Sequence, residues 1–171
     1  MKRLLMTLFT LVSAAACAQI PDMGLFKVHL SEPDKNIIAE IKPVGSLPEA
    51  APARIYYWFS ASAIKRTQGG FSGQLLNGRY QEFYLNKNLK EQGAFSKGLK
   101  TGEWKSWNPD GVLLQQISWA DGEKNGAFTV YDDKGKVRQK GYYKHDALVP
   151  ETKKPGFWKR INIFKKKEKK G

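Results

Sequence analysis

The sequence predicts an all-β protein: an elongated antiparallel β-meander of stacked hairpins, with a leading hairpin ahead of the array and a basic C-terminal tail behind it. Three observations predict it. The first is an internal repeat of constant period. Gly78, Gly102 and Gly126 are evenly spaced, and each is followed two positions later by an aromatic residue, Tyr80, Trp104 and Phe128. The same register carries Phe83, Trp107 and Tyr131, then Leu89, Leu113 and Val137, then Phe95, Trp119 and Tyr143. A period of this length marks one supersecondary unit per copy, unable to bury its apolar face alone and stacked on its neighbours. The second observation is turn chemistry inside each copy. Asn108-Pro109-Asp110-Gly111 and Asp132-Asp133-Lys134-Gly135 divide runs rich in aromatic and β-branched residues, so each copy reads as a hairpin. Gly98 and Gly122 mark the turns that hand the chain to the next hairpin. The third is that 16 of the 21 aromatic residues lie between Tyr56 and Tyr143, which concentrates there the burial that offsets chain entropy.

The segments follow in order. Lys2 and Arg3 precede an apolar, small-residue run from Leu4 to Ala16, and Ala16-Cys17-Ala18 offers a small-x-small cleavage site. Residues 1–18 therefore read as a secretory signal, and the protein as exported, periplasmic or envelope-associated. The run falls short of the roughly 18 to 20 apolar residues that a membrane helix needs, and no later segment approaches that length. Cys17, the only cysteine, has two readings. Ala14-Ala15-Ala16-Cys17 resembles a bacterial lipobox with Ala14 in place of the usual Leu, which makes Cys17 a lipidated first residue; cleavage after Ala18 instead removes it with the signal. Neither leaves a disulfide within the chain.

Residues 19–53 read as a leading hairpin, from the alternation in Phe26-Lys27-Val28-His29-Leu30 and the strand-like Asn36 to Ile41, followed by a linker marked by Pro43, Pro48 and Pro52. Residues 54–148 read as the array. It opens on a degenerate copy over Tyr56, Phe59, Lys65, Gly69 and Phe71, with Arg54 in place of the opening glycine, and it ends where Lys144-His145-Asp146 replaces the glycine-marked turns. Residues 149–171 are the tail. Phe157, Trp158, Ile161 and Phe164 recur at helical spacing, with Lys159, Lys166 and Lys167 towards the other side, the pattern of a basic amphipathic helix at an anionic membrane surface. The alternative is a solvating tail whose apolar residues dock on the array.

Of the net charge of +13, more than half sits in that tail, where nine Lys and Arg face only Glu151 and Glu168. The repeats carry mixed signs and no continuous basic groove, which argues against a nucleic-acid partner. His29 and His145 are the only imidazoles, so no metal-ligand spacing exists, and neither a nucleophile elbow nor a phosphate loop is present; no cofactor is expected. Glu82, Glu91, Glu103, Glu123, Asp132 and Asp133 are scattered without a convergent pair, so the protein reads as non-catalytic.

Gly102-Glu103-Trp104-Lys105-Ser106-Trp107, Asp110-Gly111-Val112-Leu113 and Trp119 to Gly122 resemble the variant MORN repeat of the YwqK antitoxin-like family and of exported bacterial proteins. The resemblance covers about residues 54–148. It implies a repeat fold that binds or scaffolds, while the signal sequence departs from an intracellular antitoxin role. The expected function is thus a protein-interaction platform for another envelope protein. The column Phe83, Trp107 and Tyr131 is its candidate contact surface, since exposed aromatic rows mark binding sites. The rival is a glycan-directed hydrolase or carbohydrate-binding protein, because exposed rings also stack on sugars.

Overall fold

The computed structural model describes residues 26–150, which form twelve strands. They are β1 (Lys27–Glu32), β2 (Lys35–Glu40), β3 (Ile55–Ser60), β4 (Ala63–Gln68), β5 (Gln74–Leu75), β6 (Gly78–Phe83), β7 (Leu89–Ser96), β8 (Leu99–Trp107), β9 (Leu113–Ala120), β10 (Glu123–Tyr131), β11 (Val137–Lys144) and β12 (Ala147–Val149). The signal segment with Cys17, and the tail with Phe157, Trp158, Lys159, Ile161, Phe164, Lys166 and Lys167, lie outside the described residues.

Nine strands make one antiparallel sheet in the order β1-β2-β6-β7-β8-β9-β10-β11-β12. From β6 onward it is a meander of consecutive hairpins, as the period requires. The turns between copies are tight. Lys97-Gly98, Asp121-Gly122 and His145-Asp146 all hold positive φ, the paired left-handed conformation of a two-residue hairpin turn that matches strand twist. Each turn is also tied to the copy before it. The amides of Gly98, Gly122 and Asp146 donate to the carbonyls of Leu76, Lys100 and Lys124 at 2.8, 3.0 and 3.0 Å. The His145-Asp146 turn thus keeps the geometry after losing the glycine, because Asp tolerates positive φ and its Oδ1 accepts the Lys124 amide at 2.8 Å. β12 begins one full period after β10 and is the first strand of a further copy, in which Pro150 stands where Gly102 and Gly126 stand.

The leading hairpin joins the ribbon: β2 pairs with β6 from Asn36↔Phe83 to Ala39↔Tyr80, so the hairpin extends it edgewise. The degenerate copy does form a hairpin, β3–β4, but it leaves the ribbon and joins β5 in a separate three-stranded sheet, β4-β3-β5. The reason lies in β3 itself. Its Ile-Tyr-Tyr-Trp-Phe run is apolar on both sides and calls for cover on both, as a central buried strand does. Tyr57 and Phe59, with Ile64 of β4, pack on the main sheet over Ile37, Ala39, Leu76, Tyr80, Phe95 and Trp104. Tyr56 and Trp58, on the other side, are buried with Leu75 against Phe71 and Leu99. Gly69 accordingly does not repeat the role of Gly93. It holds a φ of 73° and packs against the Pro52 backbone.

Candidate protein-interaction face

Because strand residues alternate between faces, the hairpin register sorts the inner face of the main sheet, the one the small sheet covers, into three cross-strand rows. The first is Tyr80, Gly93, Trp104, Ile117, Phe128 and Gly141. Its rings interlock with those of the next row: Trp104 lies 5.6 Å from Tyr80 and 5.0 Å from Phe95, the latter edge-on. Gly93 carries no side chain because the Trp104 indole occupies that space; a Cβ there would overlap the ring.

The second row is Phe95, Lys100, Trp119, Lys124, Tyr143 and Leu148, each directly opposite a neighbour on the adjacent strand. It interleaves cations with rings. The Lys100 ammonium lies 3.7 Å from the Trp104 ring centre and 5.2 Å from that of Trp119. Lys124 lies 6.0 Å from Trp119 and 5.2 Å from Tyr143. These contacts draw the ammonium groups to the negative ring faces. Burial pushes the Lys100 amine below the usual lysine range, and Glu91, 3.0 Å away, partly offsets this.

The third row is polar except for Val130: Glu82, Glu91, Ser106, Gln115, Val130 and Gln139. Here the sheet brings together two carboxylates that the sequence reading left scattered, since Glu82 and Glu91 are directly opposite. Both are neutralised. Glu82 is buried, with Lys90 at 2.7 Å, Lys35 at 3.6 Å and the Tyr80 hydroxyl donating to it at 2.7 Å. Burial alone would raise its pKa, but the hydrogen bonds from Lys90 and Tyr80 and the charge of Lys35 hold it below the usual carboxylate value. Burial, reinforced by Glu82, pushes the Tyr80 phenol far above its ordinary range.

Two cavities open on this face. One of about 280 Å³ lies where the two sheets meet, lined by Lys35, Tyr57, Arg66, Tyr80, Glu82 and Lys100 among others. The second, about 180 Å³, continues past the small sheet and is lined by Trp104, Gln115, Ile117, Trp119 and Lys124. Glu91, Lys100 and Trp104 border both.

The expected contact column is placed differently. Phe83, Trp107 and Tyr131 are half-buried at the hairpin-turn end of β6, β8 and β10, opposite Leu89, Leu113 and Val137 and each beyond a β-bulge. They follow Glu82, Ser106 and Val130 across the register shift, and none of them belongs to the apolar cluster under the small sheet. Lys100, Lys124 and Gln115 were not singled out from sequence, although Leu76, Lys100, Lys124 and Leu148 obey the same period as the glycines. Of the two histidines, His145 pairs with Glu123 at 2.8 Å, whose other oxygen meets Arg54 at 2.6 Å. Among the described residues no group of His, Cys, Asp or Glu is arranged to hold a metal ion.

No curated protein and no solved structure matches the chain. The family described as MORN repeat variant matches three times, at residues 76–97, 100–121 and 124–145. Each match starts on the column Leu76, Lys100 and Lys124 and ends in or just before the turn to the next copy, and the matches succeed one another at the same step as the hairpins of the sheet. Repeats of this kind are generally associated with protein and membrane interactions. The meander over residues 76–145 is thus an array of three variant MORN repeats.

Proposed function

We propose that this is a non-catalytic, exported protein that serves as an interaction platform at the cell envelope, binding another envelope protein through the uncovered part of the inner face, β9 to β12. One observation carries the reading. The apolar cluster closed by the small sheet spans β1, β2, β6, β7 and β8, with Trp119 at its rim; Phe128, itself buried with its ring over Gly141, and half-buried Tyr143, tilted at 4.7 Å from it, continue the same face beyond. A row of aromatic residues continuing past its own cover is the usual anatomy of a contact surface.

The opposed carboxylates Glu82 and Glu91 give the hydrolase alternative its strongest feature, but they do not supply its chemistry. A glycosidic general acid must hold a proton near neutrality, which requires a raised pKa. Glu82 is held low, and Glu91 is tied to Lys100.

The test is capture of the partner by crosslinking, comparing Trp119→Ala with Trp107→Ala. Loss of a buried interface tryptophan weakens binding by at least about tenfold. Trp119→Ala is expected to do so with the fold intact, and Trp107→Ala to have little effect. The opposite pattern moves the contact to the Phe83, Trp107 and Tyr131 column, and no effect of either removes the aromatic platform.

A further inference from the structure

The repeats provide an internal comparison. In the first rung, Lys100 on β8 is neutralised by Glu91 on β7, 3.0 Å away. One copy further on, Lys124 on β10 takes the place of Lys100, but the position of Glu91 is taken by Gln115 on β9. No carboxylate among the described residues pairs with the Lys124 ammonium, which rests against the rings of Trp119 and Tyr143. Gln115, Trp119 and Lys124 all border the cavity of about 180 Å³, which at its other end reaches Glu91 and Lys100. The second rung therefore has a cation, aromatic neighbours and space, and lacks both the carboxylate of the first and the Tyr57 ring that lies over Lys100.

We infer that the Gln115–Trp119–Lys124 pocket is a carboxylate-binding site that takes an acidic side chain, Glu or Asp, from the partner protein. This deepens the platform reading and rests on it. The first rung shows what the geometry accepts: a carboxylate approaching along the polar row, bonded to an ammonium that itself lies on indole. A charge-assisted bond of this kind, partly shielded by rings, is stronger than a surface ion pair. Gln115 contributes an amide that can donate to the incoming oxygen, where a glutamate would repel it.

The experiment uses the full chain and a blocked hexapeptide alternating Glu and Leu, with the Gln–Leu peptide as control, followed by NMR shifts of the Trp119 indole and the Gln115 side-chain amide. Binding of the acidic peptide at these signals is expected, and it should weaken by about tenfold or more in Lys124→Met. Gln115→Glu should weaken it similarly while preserving the fold, because the Glu91–Lys100 rung already accommodates that pair. Equal binding of the two peptides, or unchanged binding in folded Gln115→Glu, overturns the inference. So does Lys124-dependent binding to phosphatidylglycerol vesicles without peptide binding, which would assign a lipid phosphate. Peptide binding that appears only after removal of residues 151–171 would assign the site to the chain's own Glu151 or Glu168. Self-association lost in Lys124→Met would assign it to a second copy. Should Trp119→Ala abolish partner capture while the acidic peptide fails to bind, this inference falls and the platform stands; the reverse result separates them the other way.

Discussion

At Gly93 a single missing side chain sets the packing of the aromatic core. The Trp104 indole lies across it, held by two acceptors for its N–H, the carbonyls of Thr101 at 3.1 Å and Ala94 at 3.2 Å. Because these bonds fix the ring, it cannot retreat from an added methyl group. Gly93→Ala is expected to destabilise the protein by about 1 to 3 kcal/mol, the cost of overpacking a well-filled core. Urea unfolding followed by tryptophan fluorescence checks this. The identity of Trp104 as a core residue was legible in the sequence, since its column recurs in every copy as Tyr80, Trp104 and Phe128. The roles of Lys100 and Lys124 were not. A lysine in a periodic column looks the same whether its ammonium points to water or lies on indole, and only the neighbouring strands decide.

The hairpin is the unit in which local chemistry is most complete. In the β8–β9 turn, the Asn108 side-chain oxygen accepts the amides of Asp110 at 3.1 Å and Val112 at 2.8 Å; in the β10–β11 turn, Asp132 accepts those of Lys134 at 2.9 Å and Lys136 at 2.8 Å. The same two contacts, recurring from one copy to the next, show why the Asn-Pro-Asp-Gly and Asp-Asp-Lys-Gly runs could be read as turns in advance. Asn108→Ala removes the oxygen that accepts both amides. It should cost about 1 kcal/mol, with Asn108→Asp nearly neutral, as read by thermal unfolding. The pairing of turns across copies was less legible. Asn86 and Asn88 of the preceding turn donate to the Pro109 carbonyl at 2.9 and 2.7 Å, a contact that depends on how far one hairpin is displaced from the next.

For the whole molecule, the ribbon is layered along one part of its length and open along the rest. The small sheet covers β1, β2 and β6 to β8, while Arg54, at the start of that layer, reaches Glu123 on β10. The proposed export and membrane attachment belong to this scale, because they would decide which surface the open face meets. If the tail carries the attachment, truncation after Pro150 should lower partition onto anionic vesicles at low salt, and unchanged partition removes that role. Intact mass of the mature protein separates an acylated Cys17 from a chain beginning at Gln19.

The period, the hairpins, their turns and the aromatic columns were determined by the sequence alone, because each rests on interactions between residues at most a copy apart. The departure of β3 and β4 into a second layer, the edgewise addition of β1 and β2, and the choice of inner face were decided only in the tertiary structure. Sheet-on-sheet burial joins segments far apart in the chain, and it outweighs the weak pull of a degenerate copy towards the ribbon. Which lysine meets a carboxylate and which remains open then follows from the strands that the fold happens to set side by side.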